Sequence, residues 1–508
     1  SEFISTHPKQ DSLEFFSLKA LYDLKENILY AGDVKYIKVA DAAVFPADGK
    51  VTIRKNAQME PLGGAVIIAD TTRKSHMIYD ATVNIQSRKK YQASGKYDYT
   101  DELGNINQIL FNSISTDSSH RTYAVAQIPD TVNFSLSPYF DFKGKALLVT
   151  SREFLTFDGG FRIRQDCDPF PPSWVRFAAE VDPNNIALPV KDTLEDVGSK
   201  RISNALVLSA GYEIYPVFFG RKDRMDETEI LSASGFITYD KPSQEYRISS
   251  GDSLTRAEGL DNYLSLSNKN CTLYGEGEIR TGLTLDEVKM TTYGNGTYYI
   301  VPDSAIFDMS LSLDFYFSEE VLGIMTEKLM NSNMAGIDIT SNSYRKALTF
   351  MAGRDAANEL LTELSLYGSQ RRLPPGLQHT LVLSDVDMIW NKRTKSYISR
   401  GQIGINSILD RSVNKYAGGV IELAKRRNGD ELNIYLETAE KEWFYFNYSN
   451  HIMQSISSDD LYNSTLSELK ETRRVLNLEN SKNIYQYIIS TRQKMIEFIS
   501  RIQAAERR

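Results

Sequence analysis

The chain has 508 residues, 41% hydrophobic and 24% charged, the composition of an ordinary globular protein that is too long for one core, so two to four domains are expected. A net charge of −8 excludes the broad basic face of a general nucleic-acid binder. The apolar runs, such as 146–149 and 205–208, are far too short to cross a bilayer as helices.

Twenty-nine tyrosines and 23 phenylalanines favour strands. The sequence opens Ser-Glu-Phe without a signal-peptide pattern, which predicts a piece of a longer protein with its targeting signal elsewhere. Two readings stand for Cys167 and Cys271. They are buried free thiols, or they form a single disulfide and point to an oxidising compartment. No CxxC or Cys/His cluster suggests structural zinc.

Residues 13–165 read as a β-hairpin-rich domain. Residues 16–22 lead through a polar turn at 23–27 to a return arm at 28–36. Residues 42–45 meet Pro46-Ala47-Asp48-Gly49 and return at 50–54, and 77–79 meet a polar turn at 80–84. A loose unit recurs: an aromatic, then Asp, Asn or Pro, a short polar turn, and an apolar residue. Examples are Tyr22-Asp23 with Tyr30, Phe45-Pro46 with Val51, Tyr79-Asp80 with Ile85, Tyr239-Asp240 with Tyr246 and Trp390-Asn391 with Tyr397. Its spacing is irregular, and a plain meander of hairpins reads the same way.

A second β-rich domain is expected over 166–303, entered through the rigid Asp168-Pro169-Phe170-Pro171-Pro172. An α+β domain follows over 304–480, with a helical insertion at 318–372. In the insertion, Ser318 caps a helix with Val321, Leu322, Met325, Leu329 and Met330 on one stripe, and a second helix spans 342–367. The clearest hairpin is 383–405, followed by strands at 418–425, 431–437 and 441–448 and a helix over 458–475. The tail, 481–508, reads as an amphipathic helix with Ile484, Ile488, Met495, Ile499 and Ile502 on one stripe. Arg492, Lys494, Arg501, Arg507 and Arg508 lie largely off it. Such a helix docks on its own domain, on a partner or on an acidic surface. The fold class is therefore mainly β with a C-terminal α+β part, built as several domains of antiparallel hairpin-based sheets, sandwich or jelly-roll-like.

No catalytic, cofactor-binding or metal-binding motif is present, and five histidines are scattered. Asp158, Asp166 and Asp168 form the best acid/base or Ca²⁺ candidate, but Asp158 reads as part of an Asp-Gly-Gly turn and the others as loop. Asp385 and Asp387 share a strand face and are expected to face solvent opposite Trp390. Gly275-Glu276-Gly277-Glu278 reads as an acidic glycine hairpin rather than a phosphate cradle. Trp443, Phe444, Tyr445, Phe446 and Tyr448 suit sugar stacking, although alternation puts about half of them in a core.

The hairpin units at 18–37, LKALYDLKENILYAGDVKYI, and 386–405, VDMIWNKRTKSYISRGQIGI, resemble OstA-like β-jelly-roll repeats of lipopolysaccharide-transport proteins. In that family stacked hairpins form an open V-shaped groove for lipid chains. The whole chain, through runs such as YAGDVKYIKVADAAVFPADGKVTI at 30–53, looks like large envelope proteins of Bacteroidetes-type bacteria, a likeness that brings no established activity. These resemblances imply an envelope location, in the periplasm or associated with the outer membrane, and a non-enzymatic role as scaffold, chaperone or bridge for another envelope protein. A carbohydrate-active or lipid-handling protein with an open groove is the alternative. The helical insertion and the tail helix depart from the jelly-roll pattern.

Overall fold

Alternating apolar and polar residues fold into antiparallel strands through most of the chain, and helices cluster in its C-terminal part, so the protein is mainly β. The computed structural model describes residues 2–70, 76–250, 260–368, 372–477 and 484–506. The chain forms two units. One holds Ser1–Asp166, Pro171–Ile202 and Phe236–Tyr239, and the other holds Cys167–Phe170, Ser203–Gly235 and Asp240–Arg508.

The first unit is a long antiparallel meander running from Glu2–Ile4 to Val175–Glu180. A separate four-stranded sheet lies beside it in sequence: β1 (Lys19–Asp23), β2 (Ile28–Gly32), β3 (Val51–Arg54) and β4 (Gln58–Met59). The unit Phe45-Pro46 with Val51 is thus not a hairpin, because its two arms pair in different sheets. Residues 80–84 are no turn either. One strand runs through His76–Ser87, and Asp80, at φ +49°, sits at an irregularity in its pairing. The core of this unit is aromatic, with Phe142 and Phe157 4.9 Å apart and Phe161 and Phe177 5.5 Å apart. Strands β5 (Phe140–Val149) and β6 (Thr156–Ile163) approach closely at Gly144 and Gly159, where a Cβ on Gly159 would lie 2.2 Å from the Lys143 carbonyl oxygen.

In the second unit the sheet runs in near-sequential order through β7 (Glu245–Ser249), β8 (Tyr263–Ser267), β9 (Thr272–Glu278), β10 (Lys289–Tyr299) and β11 (Ser304–Asp314). The boundary expected at 303/304 falls in the turn of the β10–β11 hairpin, whose arms pair along their length, so the sheet is unbroken there. Helices α1 (Glu319–Asn331), α2 (Asn342–Ala352) and α3 (Arg354–Tyr367) form the insertion. The Ser318 hydroxyl accepts the Val321 N–H, and Glu319 and Glu320 complement the positive end of α1. The helix expected over 342–367 is two helices, broken at Gly353, whose φ of +84° no helix accommodates.

The sheet continues through β12 (His379–Asn391), β13 (Ser396–Arg400), β14 (Ile403–Leu409), β15 (Arg411–Ala424), β16 (Glu431–Glu437), β17 (Trp443–Ser449) and β18 (Ile452–Ser457). The helix expected over 458–475 is α4 (Asp460–Glu468) and α5 (Glu471–Arg474), after which the chain becomes strand β19 (Val475–Asn477).

The tail departs most from the sequence pattern. Ile484 and Ile488 lie on strand β20 (Ile484–Ile489), which pairs in parallel with β18. Only the second part is helix, α6 (Arg492–Glu506). Tyr485 and Tyr487 take the buried positions of β20, leaving Ile484 exposed. The α6 stripe is Met495, Phe498, Ile499 and Ile502, and it packs on Ile398, Trp443 and Tyr445. The helix therefore docks on its own unit. Residues 481–483, Arg507 and Arg508 lie outside the described residues.

Cys167 and Cys271 are joined in a disulfide, with Cα atoms 5.5 Å apart. It ties the segment Cys167–Phe170 to the turn between β8 and β9.

Candidate functional site

The β1–β2 hairpin is made locally. Asp23 Oδ1 accepts the N–H groups of Lys25 and Glu26 at 2.9 and 3.2 Å, and Asn27 takes φ +56°, which fixes the turn. What the hairpin presents is unusual for a water-facing strand. Leu18, Leu21 and Leu24 are 78%, 68% and 81% exposed, and Phe16, Tyr22 and Tyr30 are exposed beside them. Leu21 and Tyr30 are cross-strand partners and share one face. β1 is the end strand of its sheet, and among the described residues no strand pairs with its outer edge. Edge strands are normally blunted by proline, bulges or inward charges. β1 has no proline, its register with β2 is regular, and its lysine, Lys19, is held by Asp33 at 3.0 Å.

A second constellation lies in the other unit. Cross-strand register aligns Glu276, Asn295, Asp308, Asp387 and Arg400 on five successive strands, β9 to β13. Helix α2 lies over part of this row: Lys346 Nζ is 2.5 Å from Glu276 Oε1, and the Ser343 hydroxyl donates to Asp308 at 2.7 Å. Asp385 sits where the β11–β12 register slips, at φ +49°, a strained position for a residue other than glycine. The slip turns it toward Tyr416, whose hydroxyl donates to Asp385 Oδ2 at 2.6 Å. Asp385 is therefore half-buried and partnered, not solvent-facing. Burial raises its carboxyl above the usual range, the nearby charges of Asp308, Asp338 and Asp387 add to this, and the Tyr416 hydrogen bond opposes it. Asp387, open to solvent as a whole residue, is raised by partial desolvation first and by Asp308 second.

A carboxyl whose pKa is raised on folding stabilises the fold only while it is protonated, so that contribution fades as pH climbs from the ordinary carboxylate range through the raised value. Asp385→Asn keeps an oxygen for Tyr416 and removes the charge. We expect its melting temperature to exceed the parent's at pH 8 and the gap to close toward pH 4, as read by thermal unfolding at both pH values. An equal gap at both values would contradict the cluster's electrostatics.

The other sequence candidates do not assemble. Asp158 lies in the middle of β6 rather than in a turn, and Asp166 and Asp168 are exposed loop residues. Residues 275–278 are strand, not hairpin turn. Trp443, Phe444, Tyr445, Phe446 and Tyr448 are all buried, because both faces of β17 are covered. Tyr445 stacks on Phe498 of α6, while Phe444 meets Tyr462 of α4 and Phe446 meets Phe317. They are core and cannot stack on a sugar. Sequence reading also missed Asp286, Glu287 and His451, which the structure brings together. No helix among the described residues is long and apolar enough to cross a membrane. Neither a protein-family model nor a curated protein matches this chain.

Proposed function

We propose that this chain is a non-enzymatic protein of the cell envelope that bridges or scaffolds other envelope components, and that it does so by accepting an extended segment of a partner protein on the outer edge of β1. The observation that supports this is the bare edge itself: a regular, unblunted strand that carries Leu21 in water, with Leu18 and Leu24 exposed at its two ends. A partner strand there gains main-chain hydrogen bonds from the edge and apolar contacts from alternate side chains, the combination used in strand addition. The Cys167–Cys271 disulfide supports an oxidising, extracytoplasmic compartment.

A second reading, carbohydrate-active chemistry, draws on the paired carboxylates Asp308 and Asp387 with the raised Asp385.

The test is site-specific photo-crosslinking from position 21 in envelope extract. A discrete protein adduct is expected. Excess unlabelled protein should compete it away, and Ala20→Pro with Leu21→Lys should fail to compete while keeping the parent's melting temperature. Absence of an adduct, or competition by that variant, defeats the edge. Polysaccharide hydrolysis by the purified protein, lost in Asp387→Asn, would favour the second reading instead.

A further inference from the structure

The turn Leu285–Val288, closed by a 2.8 Å hydrogen bond, meets the two-residue turn Asn450-His451 that joins β17 to β18. Asn450 and His451 both take positive φ, +49° and +65°, as a tight hairpin of this kind requires. The backbone N–H of Gln486 donates to the His451 carbonyl, so the histidine is fixed from behind by β20. Its Nδ1 then lies 2.7 and 2.9 Å from the two carboxylate oxygens of Glu287 and 3.8 Å from Asp286 Oδ2. Ligand atoms of all three residues fall within 4.8 Å of one another.

Exposed carboxylates often gather without purpose, but Glu287 is not exposed. Its side chain is only 6% accessible, and its partners are an imidazole and the Tyr448 hydroxyl, which donates to Oε2 at 2.5 Å. Among the described residues no lysine or arginine forms an ion pair with it. A carboxylate withdrawn from water needs a compensating cation. Two carboxylates and an imidazole converge there, a donor set that one divalent ion can join.

We propose that Asp286, Glu287 and His451 form a divalent transition-metal site. One imidazole nitrogen and two carboxylates make a mixed N/O donor set, suited to Zn²⁺ and its neighbours and less to Mg²⁺, which prefers oxygen alone. Tyr448, bonded to Glu287 Oε2, holds that carboxylate in orientation, as outer-shell partners of metal ligands do.

The site has a structural consequence. Residues 281–288 form a strap over later strands. Tyr397 OH donates to the Thr281 carbonyl, Lys425 Nζ to the Gly282 carbonyl, and the Thr284 N–H to Asp430. The metal is the clasp at the end of this strap, joining it to a hairpin 164 residues further on. Binding by the folded state alone then raises stability by mass action.

Chelator-stripped protein titrated with ZnCl₂ alone tests this. We expect saturable binding of one ion by calorimetry and a melting temperature that rises with zinc, with MgCl₂ giving neither. His451→Ala and Glu287→Gln should abolish both effects, and Tyr448→Phe should weaken binding about tenfold. The Asp286 side chain is half exposed, so Asp286→Asn should fold normally and still bind less tightly, which keeps the test decisive if the other variants unfold. His379→Ala, which removes a histidine bonded to Asp314, should bind as the parent does. Absence of saturable zinc binding, or full binding by Asp286→Asn and His451→Ala, overturns the site.

Discussion

Replacing both cysteines, Cys167→Ala with Cys271→Ala, is expected to cost about 4–5 kcal/mol of unfolding free energy, the chain-entropy value for so long a closed loop. The two residues are separated by 104 positions. In the unfolded chain the cross-link removes the conformations that keep those ends apart, so its loss falls mainly on the unfolded state. The folded side adds to the effect. The segment Cys167–Phe170 belongs to the second unit but contains no strand of it, and Phe170 meets Phe218 edge-on, with ring centroids 6.2 Å apart. Urea denaturation checks the expectation: the parent in reductant and the double variant should unfold at the same lower midpoint, and the denatured, unreduced parent should show no free thiol. A loss below about 1 kcal/mol, or two titratable thiols, would mean that the bond does not anchor this unit.

Much of the architecture was legible because period-two alternation reports directly on which face of a strand is covered. The hairpin of Trp390-Asn391 with Tyr397 pairs Trp390 with Tyr397 as expected, and the capping residues of α1 sit where the sequence puts them. Failures have identifiable causes. Residues 80–84 suggest a turn because Asp and Asn favour turns, but the left-handed backbone of Asp80 serves equally well inside a strand at a bulge. Asp385 repeats the lesson within β12, where the slip in register turns a carboxylate from solvent toward Tyr416. The tail misled because Ile484 and Ile488 stand four apart, a helical spacing, while Tyr485 and Tyr487, two apart, are what the sheet buries. The aromatic run 443–448 could not be assigned to a face, since alternation says nothing when both faces are covered. The Asp286–Glu287–His451 group depends on two turns remote in sequence, and no local pattern records that meeting.

Arg501→Ala is expected to destabilise the isolated protein by about 3 kcal/mol, the low end of what removing one partner of a buried ion pair costs. Glu422 on β15 is fully buried. Arg501 of α6 reaches it with both terminal nitrogens, at 2.7 and 2.6 Å, and Ser396 and Asn433 each donate to it at 3.1 Å. Arg426 stands further off, at 3.7 Å. The low end applies because the Arg501 side chain is 40% exposed, so water already screens part of the attraction. Alanine would leave a buried carboxylate with two neutral donors and one distant cation. Arg501→Lys should recover only part of the loss, since an ammonium cannot match both oxygens at once. Glu422→Gln in the alanine background should also recover part, by removing the stranded charge. The comparison bears on the tail's role. A helix held at Glu422 and packed through Met495, Phe498 and Ile502 on Tyr445 is part of its own fold, so urea midpoints of the purified protein must fall in Arg501→Ala and in Ile499→Asp. Unchanged midpoints in both would release α6 from that duty and make its apolar stripe a surface for some other molecule.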